Sequence, residues 1–360
     1  MKEDSRFRIF LWGQYLFDLS VQRILFMVNR TGKPINMIAK FPVLSKIIKN
    51  YLQKRYERFP ELISIEITTA CNAKCIMCPR ETLTRPVKHM PFKIFEKIIN
   101  DCKGMPLKKI NLFWFGDPVC NPRIIQYLEK IRNDLPGVKL YISTNAELLT
   151  PELSNQILEK KLLDVINFDI DGFTRETYEN VRVGVNFHKV VENTNYFINK
   201  KKKMRLRRPQ VRVTIIKMKE TEKEIDQFKQ YWGSRADKVD INNYNTWLGS
   251  MEDKNVGSTL EKSQNGSFTY PCIHPWNQLV LSTEGVAGLC CLDYDLTAET
   301  GNLENNSIAE IWSGSIQKKY RENLIRLEYD QIECCSKCNA FIYQDKSFWA
   351  KLWQQKNIKK

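Results

Sequence analysis

Between Leu62 and Asn243, six β-branched, alternating runs come with stretches of helical periodicity between them, and that order constrains the fold more than any single residue. Leu62-Ile-Ser-Ile-Glu-Ile-Thr68 predicts a first strand and Phe92-Cys102 a first helix. Further strands are expected at 109–115, 138–143, 165–171, 210–217 and 239–243, with helices at 122–135, 151–160, on to Lys200, and at 220–232. Alternation of this kind favours an α/β fold with a parallel sheet, closed or partly closed, and with function at the C-terminal strand ends. The chemically suggestive residues fall at those ends. Cys71, Cys75 and Cys78 follow the first strand, Gly116-Asp117-Pro118 the second, Ser143-Thr-Asn145 the third and Asp171-Gly172 the fourth.

The flanks read differently. Residues 7–28 and 43–56 carry apolar residues at helical spacing beside Arg6, Arg8, Arg23 and Arg30. They predict a helical N-terminal extension over 1–56, packed on the main domain or a second subunit, or else lying on a membrane surface. The formal net charge is +15, much of it in Lys200-Lys-Lys-Lys203 and a basic tail over 346–360. Such a run makes a solvated face or meets an anionic partner. No base-stacking aromatic motif accompanies it, so nucleic acid is the least favoured partner. Asp18, Gln22 and Arg23 interrupt the early apolar run, which excludes a signal h-region or spanning helix there. The expected location is cytoplasmic, with peripheral contact at the inner membrane face as the alternative.

The eleven cysteines are clustered, which in a reducing compartment points to metal ligation or catalysis. Cys71-Asn-Ala-Lys-Cys75-Ile-Met-Cys78 is spaced C-x3-C-x2-C without a fourth cysteine nearby. Structural zinc sites want four ligands, commonly in paired knuckles. A four-iron cube held by three thiolates leaves one iron open to a small molecule. With its place after the first strand, the segment resembles the cluster loop of the radical S-adenosylmethionine (SAM) superfamily, except that Met77 stands where many members have an aromatic residue.

The resemblance implies a partial (β/α)6 TIM barrel over 57–245, a 4Fe–4S cluster on Cys71, Cys75 and Cys78, and SAM on its open iron. One-electron cleavage would give methionine and a 5′-deoxyadenosyl radical, with a reducing partner such as flavodoxin or ferredoxin supplying the electron. It further implies cofactor contacts from Gly116 and Asp117, Ser143 and Asn145, Asp169 and Asp171, and Arg182, the last pairing with the cofactor carboxylate.

Residues 246–345 change in texture. A polar stretch over 249–267 reads as a linker. Then come Pro271-Cys-Ile-His-Pro-Trp276, Cys290-Cys-Leu-Asp293, Gly301-Asn302, Glu310-Ile-Trp312 and Cys334-Cys-Ser-Lys-Cys338. These words resemble the SPASM/twitch auxiliary-cluster module, a small α+β domain. The resemblance implies a second 4Fe–4S cluster on Cys272, Cys290, Cys335 and Cys338, with Cys291 and Cys334 as the neighbours able to substitute. A four-thiolate zinc site is the alternative. Cys102 and Cys120 are expected to have no special role, and His274 to approach the second cluster.

The expected function is oxidation of a small-molecule or glycan substrate, with the second cluster accepting an electron. The alternative is an epimerase or peptide maturase, with Cys291 or Cys334 as hydrogen donor. A zinc-binding adaptor without enzymatic activity is the remote reading.

Overall fold

A computed structural model describes residues 58–251, 272–325 and 328–338. The expected N-terminal extension, most of the linker and the basic tail lie outside the described residues.

The six repeats become six parallel strands in consecutive spatial order: β1 (Leu62–Ile65), β3 (Lys109–Asn111), β4 (Lys139–Thr144), β5 (Val165–Asp169), β7 (Gln210–Lys217) and β8 (Lys238–Asn243). Two-residue strands β2 (Lys74–Cys75) and β6 (Arg182–Val183) pair separately. Among the described residues β8 pairs only with β7, so the barrel stays open on that side. The other edge is extended. Strand β9 (Gln278–Leu281) lies parallel to β1, followed by β10 (Val286–Gly288) and β11 (Glu299–Asn302), which makes one nine-stranded sheet.

Helices cover the convex face. In α1 (Phe92–Cys102) the buried Phe95, Ile98, Ile99 and Cys102 recur at helical spacing and join Ile63, Ile65 and Ile110 in the core. Helices α2 (Ile124–Asp134), α3 (Pro151–Glu159), α4 (Arg175–Val181), α5 (Phe187–Lys203) and α6 (Ile225–Gly233) follow the later strands. Caps set several starts. The Thr150 hydroxyl accepts from Leu153 N–H, with Pro151 in the first turn, and Asn186 accepts from Lys189 N–H. The lysine run forms the last turn of α5, where cations complement the helix dipole. Lys201 is buried against Asp237, at 2.5 Å, so one member of the run is structural rather than solvated.

The concave face is unlike that of an ordinary parallel sheet, whose strands are apolar on both sides. Register places Ser64, Asn111, Tyr141, Ser143, Asn167, Asp169, Arg212, Thr214 and Asp240 on this inner face. The intervening Ile63, Ile110, Leu140, Ile142, Ile166, Phe168, Val211 and Val213 pack outward and are fully buried. Period-two alternation therefore builds a polar lumen inside an apolar wall.

Among the described residues no helix is long and apolar enough to cross a membrane.

Candidate active site

The three-cysteine loop is fastened at the mouth of the lumen from several sides. Cys75 pairs with Arg182 in the β2–β6 ladder, and Ile76 N–H donates to Val181 O at 3.0 Å. The Cys78 amide closes a turn onto Cys75 O, and Arg80 reaches back to Ala73 O at 3.1 Å. Trp247, beyond β8, donates its indole N–H to Met77 O at 2.7 Å. Met77 itself is buried among Val181, Met218 and Tyr244, a packing role that its flexible thioether fills in place of an aromatic ring.

Gly116 explains how the second strand end comes so close. A Cβ there would stand 2.1 Å from Thr68 O, so only glycine fits. The following amide, Asp117 N–H, donates to Ala70 O at 3.0 Å. The Asp117 carboxylate points inward and accepts from Val119 N–H, Asn145 N–H and the Thr144 hydroxyl at 2.8–2.9 Å. Burial raises its pKa, and those donors oppose the rise. Its side chain fastens the second strand end to the third, and its own amide and carbonyl are engaged by Ala70 O and Cys120 N–H. Asn145 donates to Asn72 Oδ1 at 2.9 Å and so ties the third strand end to the cysteine loop.

Arg182 is the cationic centre. Burial opposes its charge, but Asp171, Cys75 and Asp169 outweigh that and hold it firmly protonated. It meets Asp171 Oδ2 at 2.6 Å and donates to Cys75 Sγ at 3.5 Å. The expected pairing of Arg182 with a cofactor carboxylate thus has a competitor already in place, and its observed partners are the Asp171 carboxylate and the Cys75 sulfur. Asp169 accepts from Ser143 Oγ and Asn167 Nδ2, both at 2.6 Å. Burial pushes its carboxyl up to about 6.

The donor set suits an iron–sulfur cube. Burial raises all three thiols, Cys75 to about 12. Thiols so placed ionise readily only against strong positive charge, which bound iron supplies. Among the described residues no three His, Cys, Asp or Glu side chains gather around one point as a single ion would need. A cube asks for something else, one thiolate at each occupied corner.

The second cysteine group assembles beyond β9. Cys334 and Cys335 lie on the short helix Glu333–Ser336, their sulfurs 3.8 Å apart. They share a small core with Cys272, Leu289 and Tyr329. Cys290 Sγ accepts from Leu292 N–H at 3.4 Å. A hydrogen bond between the adjacent thiols raises Cys290 and lowers Cys291, with His274 also stabilising the Cys291 thiolate. Cys338 closes a turn onto Cys335 O. Six sulfurs thus share one module, and Cys291 faces His274 and Gln278 rather than the Tyr329 core. The capping box of Ser307 and Glu310 starts the helix Ile308–Ser313, whose Ile308, Ile311 and Trp312 pack into the main core. Cys102 is a buried helix-face residue, and Cys120 Sγ lies 3.7 Å from Asn72 Oδ1.

An aromatic and ionic seam joins the two cysteine groups, and sequence reasoning missed it. Trp114 donates to Cys291 O at 2.7 Å, while Phe115 meets both Trp247 and Tyr294 edge-on. Arg85 lies over Trp114, donates to Tyr294 O, and pairs with the fully buried Glu66 at 2.6 Å. Removing one partner of a buried pair leaves the other uncompensated, at a cost of about 3–5 kcal/mol. Burial already raises the Glu66 pKa, and Arg85 opposes that. An Arg85→Leu variant should therefore lose roughly that stability near neutral pH, as read by denaturant unfolding. The folded-state pKa of Glu66 lies above its unfolded value, and losing Arg85 lifts it further. The deficit should grow as pH rises from the ordinary carboxylate range; a pH-independent deficit would mean that the pair is not the cause.

The comparisons with known proteins agree with this arrangement. The radical SAM superfamily model matches residues 65–231, and that of an iron–sulfur cluster-binding domain, SPASM, matches residues 272–339. A tungsten-containing aldehyde ferredoxin oxidoreductase cofactor-modifying protein of Pyrococcus furiosus is 27% identical over 172 residues, 46% of each chain. A GTP 3′,8-cyclase of Chlorobaculum tepidum is 30% identical over 131 residues, 36% of this chain and 38% of its own. These matches thus span less than half the length of either relative. Streptococcus suis SuiB bound to S-adenosylmethionine superposes with a TM-score of 0.62, covering 84% of this chain and 79% of its own at 15% identity. BtrN in complex with AdoMet and 2-DOIA gives 0.54, covering 78% and 93%, also at 15%. At such identity the likeness shows the fold alone. The two matched domains place this chain in the radical SAM superfamily, with a C-terminal domain of the SPASM type, and imply S-adenosylmethionine and 4Fe–4S iron–sulfur clusters as its cofactors.

Proposed function

We propose that the enzyme oxidises a polyhydroxylated, carbohydrate-type substrate held in the lumen, and that Cys272, Cys290, Cys335 and Cys338 hold the electron-accepting cluster. The observation that carries this reading is the inner face itself. Asn167 donates to Ser143 and Asp169, the Thr214 hydroxyl donates to Asn167, and Arg212 pairs with Asp240, so donors and acceptors alternate up the wall. A substrate dense in hydroxyls can exchange into such a network and would satisfy Asn111 Oδ1, which is buried on the same face with no partner among the described residues.

When bound, the first cluster and SAM supply a radical that abstracts hydrogen. The remaining work belongs to the chain. Arg182 offsets negative charge at the loop, and the seam of Trp114, Phe115, Trp247 and Tyr294 closes the mouth against water. Oxidation of an alcohol also requires loss of the hydroxyl proton, and Asp169 is the base we assign. With its carboxyl near 6 it is ionised at neutral pH and protonated below that value. Turnover should rise through about pH 6. An Asp169→Asn variant should fall roughly 10²–10⁴-fold in substrate oxidation while still cleaving SAM. Equal loss of both activities would assign Asp169 to cofactor binding instead.

A further inference from the structure

The lumen is not uniform along its axis. Its lower end, remote from the cysteine loop, is basic. Parallel register sets Lys109 beside Lys139 at the start of β3 and β4, and Arg212 beside Lys238 on β7 and β8. Among the described residues Asp240 alone answers these cations. It meets Arg212 at 2.6 Å and Lys238 at 2.7 Å. Among the described residues no carboxylate stands in ion-pair contact with Lys109 or Lys139. Lys109 is half-buried with its ammonium 4.4 Å above the centre of the Tyr141 ring, and Phe113 meets that ring in a T-shaped contact. Burial, with Arg212 and Lys139 nearby, makes its charge costly and lowers its pKa.

A half-buried ammonium among like charges is stable only if something negative completes it or the fold gains by keeping it there. No acidic side chain of the described protein does so. We propose that the lower lumen is an oxyanion subsite, in which Lys109 and Lys139, with Arg212 behind them, bind a phosphate or carboxylate of the substrate. Tyr141 lies level with Val165, four strand residues below Asp169, about 13 Å at ~3.3 Å per residue. Arg212 lies level with Asn167, two residues below Asp169, so the anion sits below the reacting carbon and acts as a handle that aligns the substrate along the lumen. This deepens the carbohydrate reading and rests on it for the identity of the reacting part; the subsite itself does not.

The test uses the full chain and equilibrium binding of inorganic pyrophosphate at low salt. Saturable binding is expected, weakened roughly tenfold or more in Lys109→Met and in Lys139→Met, as for loss of one charge-assisted contact. Lys109→Arg should recover most of it. Lys203→Met, on the exposed end of α5, should change nothing, and thermal melts confirm which variants fold. Binding that is absent, or equal in all four variants, overturns the proposal. Glucose 1-phosphate binding better than glucuronate, both through Lys109, marks phosphate as the source of the anion, and the reverse marks carboxylate. Lys109-dependent binding alongside modification of peptides alone would end the carbohydrate reading and leave the subsite standing. Oxidation of glucose 1-phosphate unaffected by Lys109→Met would end the subsite and leave that reading.

Discussion

Replacing Cys75 by Ala should abolish reductive cleavage of SAM, with a loss of at least 10³-fold in 5′-deoxyadenosine release, and should remove about half of the bound iron. Cys75 is the central cysteine of its loop. It is paired in the β2–β6 ladder and receives a hydrogen bond from Arg182, so its sulfur is the most firmly positioned of the three. Ala keeps the backbone ladder and deletes only the thiolate. Anaerobic reconstitution should give roughly eight irons in the parent chain and roughly four in the variant. Undiminished cleavage in Cys75→Ala would remove the loop from the chemistry.

Replacing Cys272 should have the converse effect. Cys272 has no adjacent cysteine to take its place, unlike Cys290 or Cys335. Cys272→Ala should therefore lose the second cluster's iron, again about half, while SAM cleavage continues. Substrate oxidation should drop by 10²-fold or more, because the substrate electron then has no acceptor. A variant with full iron would show that the quartet is drawn wrongly. A variant with half the iron and unimpaired oxidation would show that the second cluster is structural.

The strand–helix alternation was legible because outward positions such as Ile63, Ile110 and Ile142 carry the apolar period directly. Helix 92–102 and strand 210–217 match their sequence-based bounds. Strands one and two are shorter than expected. After Ile65 and Asn111 the chain leaves the ladder to make the approach at Gly116, a constraint visible only once Thr68 is placed. The candidate cofactor residues come together at one mouth, yet the inner ring does not announce itself. Asn167, Arg212 and Asp240 are ordinary polar residues in isolation. Their signal is that they alternate with buried aliphatics on parallel strands, where the opposite face should also be apolar. Trp114, Trp247 and Arg85 were hidden for another reason. Their partners lie far along the chain, and only the pairing of β9 with β1 brings Cys291 to Trp114. That β9 continues the barrel sheet was equally unreadable, because Gln278–Leu281 is a short apolar strand that could pair at any edge.

The most direct test of the central claim is mass analysis of products formed by the reconstituted enzyme in deuterated water, with phosphorylated glycosides and peptides offered together. A glycoside product lighter by two hydrogens, free of solvent deuterium at carbon and formed with one 5′-deoxyadenosine per turnover, is the predicted result. A product of unchanged oxidation level carrying one solvent deuterium, or modification confined to the peptides, would contradict it.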